Sequence, residues 1–299
     1  REAADRPGAG PQGRLIRCRG PGDPGPPSRR FQMSLSPADF VSFLNAMPPE
    51  LLLVAQMLFC FAAVLVMARA FGATGVQLYI ALAVIAANIE VLKPVQFAFY
   101  DHPVAMGTIL FSSTYLATDI LTEHYGRDAA RRGIFMGFAA YLLFTLLVLL
   151  TLGFRPMSAA EAGDEMAWAL PVQAHLLALF LPAPALFLAG MVAYLTSQLC
   201  DVWIYQRIRG ITGQPHLWLR NNGSTMISAL IDNTVFSVLA WVVFAEHPIG
   251  WHALLFTYIL GTYLMRVAAS LLDTPFLYLS RLALRPHLSR AQAGPPASA

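Results

Sequence analysis

About seven long apolar stretches follow one another along the chain, separated by short polar segments. They lie near residues 51–70, 75–92, 104–121, 134–153, 184–205, 224–244 and 253–279. A helix needs about 20 mostly apolar residues to cross the hydrocarbon core of a bilayer, and these stretches are close to that length. The pattern predicts an all-α fold, a polytopic membrane helix bundle of six to seven transmembrane helices. The number is six if one early stretch is re-entrant or amphipathic and does not cross the membrane.

Polar side chains recur at helical spacing within four of these stretches. Spacings of three, four, seven and eleven residues place side chains on one face of a helix. The stripes are Ser112, Tyr115, Asp119, Thr122 and Glu123; Tyr194, Ser197, Gln198, Asp201 and Tyr205; Asn221, Thr225, Ser228 and Asp232, with Asn222 and Asn233 beside them; and Thr262, Arg266 and Asp273. Polar stripes avoid lipid when they face one another, so we expect a shared polar interior.

The acids of these stripes are the most informative residues. Hydrogen bonds between helices explain Ser112, Ser228 and Thr262 well enough. Burying a carboxylate costs several kcal/mol unless it is paired or protonated, and Arg266 can fully neutralise only one of Asp201 and Asp232. Acids left without a partner are ligands for a donor-rich substrate, or proton carriers. Asp119 and Glu123 lie nearer a helix end, where we expect water or the arginines at 131 and 132 to reach them.

Composition excludes an ordinary soluble protein. The 299 residues are 57% hydrophobic and 12% charged, with a mean hydropathy of +0.55. Soluble domains are roughly 45–50% apolar and about 25% charged. Cys18, Cys60 and Cys200 form no CxxC pair, so we expect neither disulfides nor a metal site.

The charge distribution predicts domain limits and orientation. Residues 1–32 carry seven arginines against three acids in a Gly- and Pro-rich context. One interpretation is a basic arm that binds anionic lipid or nucleic acid. The simpler interpretation is that the true start is Met33 and that these residues are translated upstream sequence. We expect a disordered or spurious tail at 1–45, a transmembrane transporter domain at 46–285 and a disordered tail at 286–299. Later arginines collect in two loops and after the last stretch, which predicts that these segments and the C-terminus are cytoplasmic.

Motifs for catalysis are missing from the sequence. It contains no HExxH, no GxSxG and no Walker A loop, and its histidines are scattered. We therefore expect a transporter rather than an enzyme, with no cofactor, and any ATP-derived energy would come from another subunit. A membrane enzyme is the weaker alternative.

Three blocks carry a family resemblance. They are ANIEVLKPV at 87–95, TYLATDILTEHYGRDAARRGI at 114–134, and SQLCDVWIYQRIR followed by WLRNNGSTMISALIDNTVF within 197–236. In order and spacing they resemble the queuosine precursor transporter family, once grouped with vitamin uptake transporters. The resemblance implies uptake of 7-cyano-7-deazaguanine and 7-aminomethyl-7-deazaguanine through the bacterial cell inner membrane for tRNA modification. It also implies kinship with the six-helix substrate-binding subunits of energy-coupling-factor transporters, so a subunit that needs an energising partner is the main alternative.

A guanine-like edge presents an N–H beside an NH₂, which a carboxylate accepts in paired hydrogen bonds. Asp232 or Glu123 fits that role, and an amide or arginine fits the carbonyl of the base. Arg220 also fits a positive-inside anchor. Tyr115, Trp203, Tyr205 or Phe236 offers a ring for stacking. The predicted substrate-binding residues are Asn88, Tyr115, Asp119, Glu123, Asp201, Tyr205, Arg220, Asn221, Asn222, Asp232 and Asn233.

Overall fold

The computed structural model describes residues 36–180, 184–213, 215–245 and 247–284. Within the predicted tail at 1–45, Pro37–Asn45 forms helix α1. Ser36 caps this helix by accepting from the backbone N–H of Asp39, whose side chain accepts from the backbone N–H of Ser36. The rest of that tail and the predicted tail at 286–299 lie outside the described residues.

Helix α2, Pro49–Glu90, turns back on itself at Gly72. Gly72 has φ 61° and ψ −140°, which interrupts the helix. The amide of Gln56 donates to Glu90 Oε2 at 3.0 Å, although a straight helix would separate these residues by about 50 Å. Helix α2 is therefore two antiparallel arms, which correspond to the predicted stretches 51–70 and 75–92. A Cβ at Gly75 would lie 2.2 Å from the backbone oxygen of Met67, so only glycine allows this approach.

A β-hairpin connects α2 to α3. Strands β1 (Pro94–Phe97) and β2 (Tyr100–Ala105) pair antiparallel, with Pro94 opposite Ala105. Helix α3 runs from Gly107 to His124, three residues later than the predicted start at 104, because the residues before it are strand. Fourteen of its 18 residues are buried, and it packs against α2, α4, α7 and α10. Its polar side chains therefore face protein rather than lipid.

The remaining described helices complete the bundle. They are α4 (Arg127–Leu152), α5 (Ala159–Ala162), a 3₁₀ turn (Ala167–Ala169), α6 (Val172–Phe180), α7 (Pro184–Thr212), α8 (Leu217–Val238) with its π-helical extension Leu239–Val243, α9 (Trp251–Ala253), the π-helix Leu254–Gly261 and α10 (Thr262–Ala283).

Five helices of the described residues are long and apolar enough to cross a membrane. They are Pro49–Glu90, Arg127–Leu152, Leu186–Thr212, Leu217–Val243 and Trp251–Ala283. Large apolar side chains such as Phe59, Leu82 and Leu150 lie on the outside, whereas carboxylates and amides lie inside. This distribution suits lipid surroundings, and the predicted all-α membrane bundle is confirmed.

Candidate substrate site

The polar stripes of α3 and α7 meet in the interior with matching spacing. Tyr115, Asp119 and Glu123 follow one another at four-residue intervals on α3, and Ser197, Asp201 and Tyr205 do so on α7. Four residues advance a helix by about 6 Å, so the two stripes divide the interior into three successive levels. All but Glu123 are buried. We name these levels the ion-pair layer, the acid layer and the clamp layer.

The ion-pair layer consists of Tyr115, Ser197, Asp232 and Arg266. Arg266 Nη1 lies 2.7 Å from Asp232 Oδ2, and the hydroxyl of Ser197 donates to Asp232 Oδ1 at 2.8 Å. Tyr115 lies beside both charged groups. Within the described residues, the hydroxyl of Tyr115 and Nε of Arg266 have no hydrogen-bond partner. This layer therefore combines a carboxylate, a guanidinium and an aromatic ring. The Tyr115 hydroxyl and the Arg266 Nε–H remain available as donors.

The acid layer consists of Asp119, Asp201 and Asp273, each at most 1% exposed. Asp119 and Asp201 face each other from α3 and α7. None of their four carboxyl oxygens has a hydrogen-bond partner among the described residues outside the pair. Asp273 accepts a hydrogen bond from the Asn221 amide at 2.8 Å. The ion pairs of the described residues involve none of these three acids, so they cannot all be ionised together at low cost.

The clamp layer consists of Glu123, Tyr205 and Arg220. Arg220 Nη2 lies 2.6 Å from Glu123 Oε1, and the Tyr205 hydroxyl donates to Glu123 Oε2 at 3.0 Å. Arg220 Nε donates to the Tyr205 oxygen at 3.2 Å, and Nη1 donates to the backbone oxygen of Gly213. Arg209 and Arg281 flank the same carboxylate at 3.8 and 3.5 Å. Three predicted binding residues thus bind one another at this level of the interior.

The predicted amides take different positions. Of the predicted amides, Asn221 is the one whose hydrogen bond reaches the acid layer, at Asp273. Asn222 donates to Thr274 Oγ1 at 2.8 Å and accepts from the Ser270 hydroxyl at 3.0 Å, so it joins α8 to α10. Asn233 donates to the backbone oxygen of Ile259, in the π-helix before α10.

Asn88 is a half-buried residue of α2 whose amide donates to the backbone oxygen of Val84. Gly190 is adjacent: a Cβ there would lie 3.5 Å from Asn88 Oδ1 and 4.0 Å from the Phe236 ring. Among the other rings considered for stacking, Trp203 is 54% exposed and packs under the Arg207 guanidinium. Its ring therefore points away from the interior.

Comparison with known proteins places this architecture in a family. Residues 105–280 match the family model described as "Putative vitamin uptake transporter", which includes all three layers. The chain is 30% identical over 222 residues to the "Probable queuosine precursor transporter" of Bacillus subtilis (strain 168). That alignment covers 74% of this chain and 90% of the relative. The chain belongs to this transporter family. No solved structure matches it.

The family assignment confirms the predicted resemblance and the prediction that this multi-pass membrane protein is a transporter rather than an enzyme. Arg266 and Asp273 were absent from the predicted binding set of the transporter, although both lie at its interior. Their spacing of seven residues on one face of an apolar helix was the available signal. Gln198 was also absent from that set; it donates to Thr114 Oγ1 at 2.7 Å and accepts from Thr118, which ties α7 to α3.

Proposed function

We propose that the protein imports the 7-deazaguanine precursors of queuosine across a bacterial inner membrane for tRNA modification. The name of the Bacillus subtilis relative supports this substrate class. The observation that carries the proposal is the buried Asp232–Arg266 pair, with Nη1 and Oδ2 2.7 Å apart, beside the Tyr115 hydroxyl that has no partner among the described residues.

The chemistry of this layer matches a guanine-like edge. The Asp232 carboxylate accepts from the N–H and the NH₂ of the base, while an N–H of Arg266 donates to its carbonyl. The ring of Tyr115 offers a flat apolar surface for stacking. Since Asp232 is 8% exposed and already holds a hydrogen bond from Ser197, its orientation is preset before the base arrives.

The three layers suggest a transport path. By the positive-inside rule, the bundle end that carries Arg127, Arg131 and Arg132 is cytoplasmic, and Glu123 of the clamp layer lies near that end on α3. The base would enter the ion-pair layer from the opposite side, and the clamp layer would open to release it. The contact between Glu123 and Arg220 at 2.6 Å supports this role, because the two side chains must separate before the base can pass between them.

Queuosine in tRNA provides the decisive test. Cells that cannot make the precursor and lack their own carrier are given this chain, with each base supplied at low concentration. The proposal predicts queuosine in their tRNA. The Bacillus subtilis relative, expressed in the same cells, is the positive control. Failure with matched membrane abundance would refute the proposal. Uptake by the purified chain alone in liposomes would exclude an obligatory energising partner.

A further inference from the structure

Asp119 and Asp201 form a buried pair of carboxyl groups that the recognition of a base by the ion-pair layer does not use. Both side chains are fully buried, and outside the pair their oxygens have no hydrogen-bond partner in the described part of the chain. The hydroxyls of Ser224 and Ser228 lie beside Asp201 but donate to carbonyl oxygens of their own helix. Neighbouring donors therefore offset little of the cost of burying this pair.

Other titratable groups surround this pair from each side of the interior. Asp273 approaches from α10, and Glu123 and Tyr115 share the pair's region from α3, with Tyr205 on α7. Three uncharged polar side chains of α8 also lie beside these acids: Asn221 at Asp273, and Ser224 and Ser228 at Asp201.

The buried arginines are already committed to other acids. Arg266 pairs with Asp232 at 2.7 Å, and Arg220 pairs with Glu123 at 2.6 Å. Two adjacent carboxyl groups in a low-dielectric interior cannot both ionise, so they share a proton. Carboxyl groups at membrane depth in transporters serve as proton relays for the same reason.

We propose that Asp119 and Asp201 carry one proton per transport cycle, so that a neutral base enters together with H⁺. The inference rests on the proposed function, because it assigns proton transfer to the acid layer of the same transporter. The protonated carboxyl donates its O–H to the carboxylate of its partner. When the base enters, the pair takes up a second proton from water on that side. On release, one proton passes to water at the cytoplasmic end, so the pair returns to its single shared proton and never carries two negative charges.

Proteoliposomes with the purified whole chain test the proposal, using labelled 7-cyano-7-deazaguanine and a membrane potential clamped at zero. For one proton per neutral base, an inward gradient of one pH unit supports about tenfold accumulation. Asp201→Asn should reduce the ratio of uptake with the gradient to uptake without it to about 1. Asp201→Glu keeps a titratable group and should retain the response. Ser228→Ala is the matched control, since it changes a neighbouring polar group that does not titrate.

Each outcome decides between the two proposals. Exchange of labelled for unlabelled base without any response of the unmodified protein to the pH gradient would overturn proton coupling and leave the proposed function standing. Accumulation driven by a sodium gradient alone would do the same. No exchange of base at all would refute the proposed function. A full response to the pH gradient in Asp201→Asn would show that another group carries the proton. If that variant fails to fold, the response of the unmodified protein still decides whether transport is coupled to protons.

Discussion

Arg220 of α8 and Glu123 of α3 form an ion pair of 2.6 Å across 97 residues of sequence. The Arg220 side chain is fully buried, and its guanidinium also contacts Tyr205 and the backbone oxygen of Gly213. The pair thus joins α3, α7 and α8 at one level. Separating the two charges inside the protein costs several kcal/mol, so this contact stabilises the arrangement of the three helices.

Arg220→Met should destabilise the folded protein strongly. Removing one partner of a buried ion pair costs about 3–5 kcal/mol when the remaining charge loses its compensation. Arg209 and Arg281 still flank Glu123 at 3.8 and 3.5 Å, so we expect the lower end of that range. Thermal unfolding of the purified protein in detergent would show a clear fall in Tm.

Arg155→Met is the matched control for that variant. Arg155 pairs with Glu161 at 2.5 Å, but its side chain is 77% exposed. Water and salt screen exposed pairs, so we expect no measurable change in Tm. Similar losses in both variants would contradict the argument from burial.

The sequence predicted the helices and their inward faces better than the contacts between them. Residue spacing identifies which side chains share a face, as it did for Tyr115, Asp119 and Glu123. It does not define how far one helix is shifted along its neighbour. Glu123 was expected near the arginines at 131 and 132, which are close in sequence. The structure instead pairs it with Arg220, Arg209 and Arg281.

The connection between α2 and α3 shows a second limit of sequence patterns. Residues 104–106 belong to an apolar stretch, and hydropathy alone extends the helix into them. They form a strand end and a turn, because β2 pairs with β1 from Ala105 back to Tyr100. Pairing between two short strands depends on contacts across the hairpin that helical periodicity does not report.

Gly75→Ala should destabilise the α2 hairpin. The added methyl group would lie 2.2 Å from the backbone oxygen of Met67 in the other arm. A backbone atom cannot rotate away, so the arms must separate, and overpacking of this kind costs about 1–3 kcal/mol. Membrane abundance and Tm should both fall.

Gly210→Ala provides the comparison. Gly210 lies in α7, and apart from its chain neighbours and its own helix backbone nothing lies within 4 Å of its added Cβ. Alanine favours a helix over glycine by up to about 1 kcal/mol, so Tm should stay unchanged or rise slightly. A Gly75→Ala protein as stable as Gly210→Ala would show that the two arms do not need their close approach.

Asp232→Asn should reduce transport per molecule, beyond any loss of membrane abundance that follows from breaking its ion pair with Arg266. Asparagine keeps the size and one acceptor oxygen, so the bond from Ser197 Oγ at 2.8 Å can persist. It removes the charge that opposes Arg266 and presents an NH₂ where the base needs a second acceptor. Uptake per molecule, normalised to quantified protein, should drop at least tenfold. Loss of the protein from the membrane with normal uptake per molecule would make Asp232 a structural residue.

Asp119→Asn should discriminate between the two bases. The aminomethyl base is a cation near neutral pH, whereas the cyano base is neutral, so a carboxylate near the substituent favours the former. A contact near 4 Å at an effective dielectric of 20 corresponds to about 4 kcal/mol before desolvation is subtracted, which leaves room for a tenfold change in preference. Asp119 is fully buried one helical turn from Tyr115, within reach of a base stacked there.

Competition between the two bases on one Asp119→Asn preparation measures this preference, and differences in expression cancel. The exchange is run at equal pH on both sides, so that loss of proton coupling does not enter the comparison. The aminomethyl base should lose more affinity than the cyano base. Equal losses for both would mean that Asp119 contacts the shared guanine-like edge or supports the fold. In that case the acid layer does not distinguish the substituents, and selectivity must arise in the ion-pair layer.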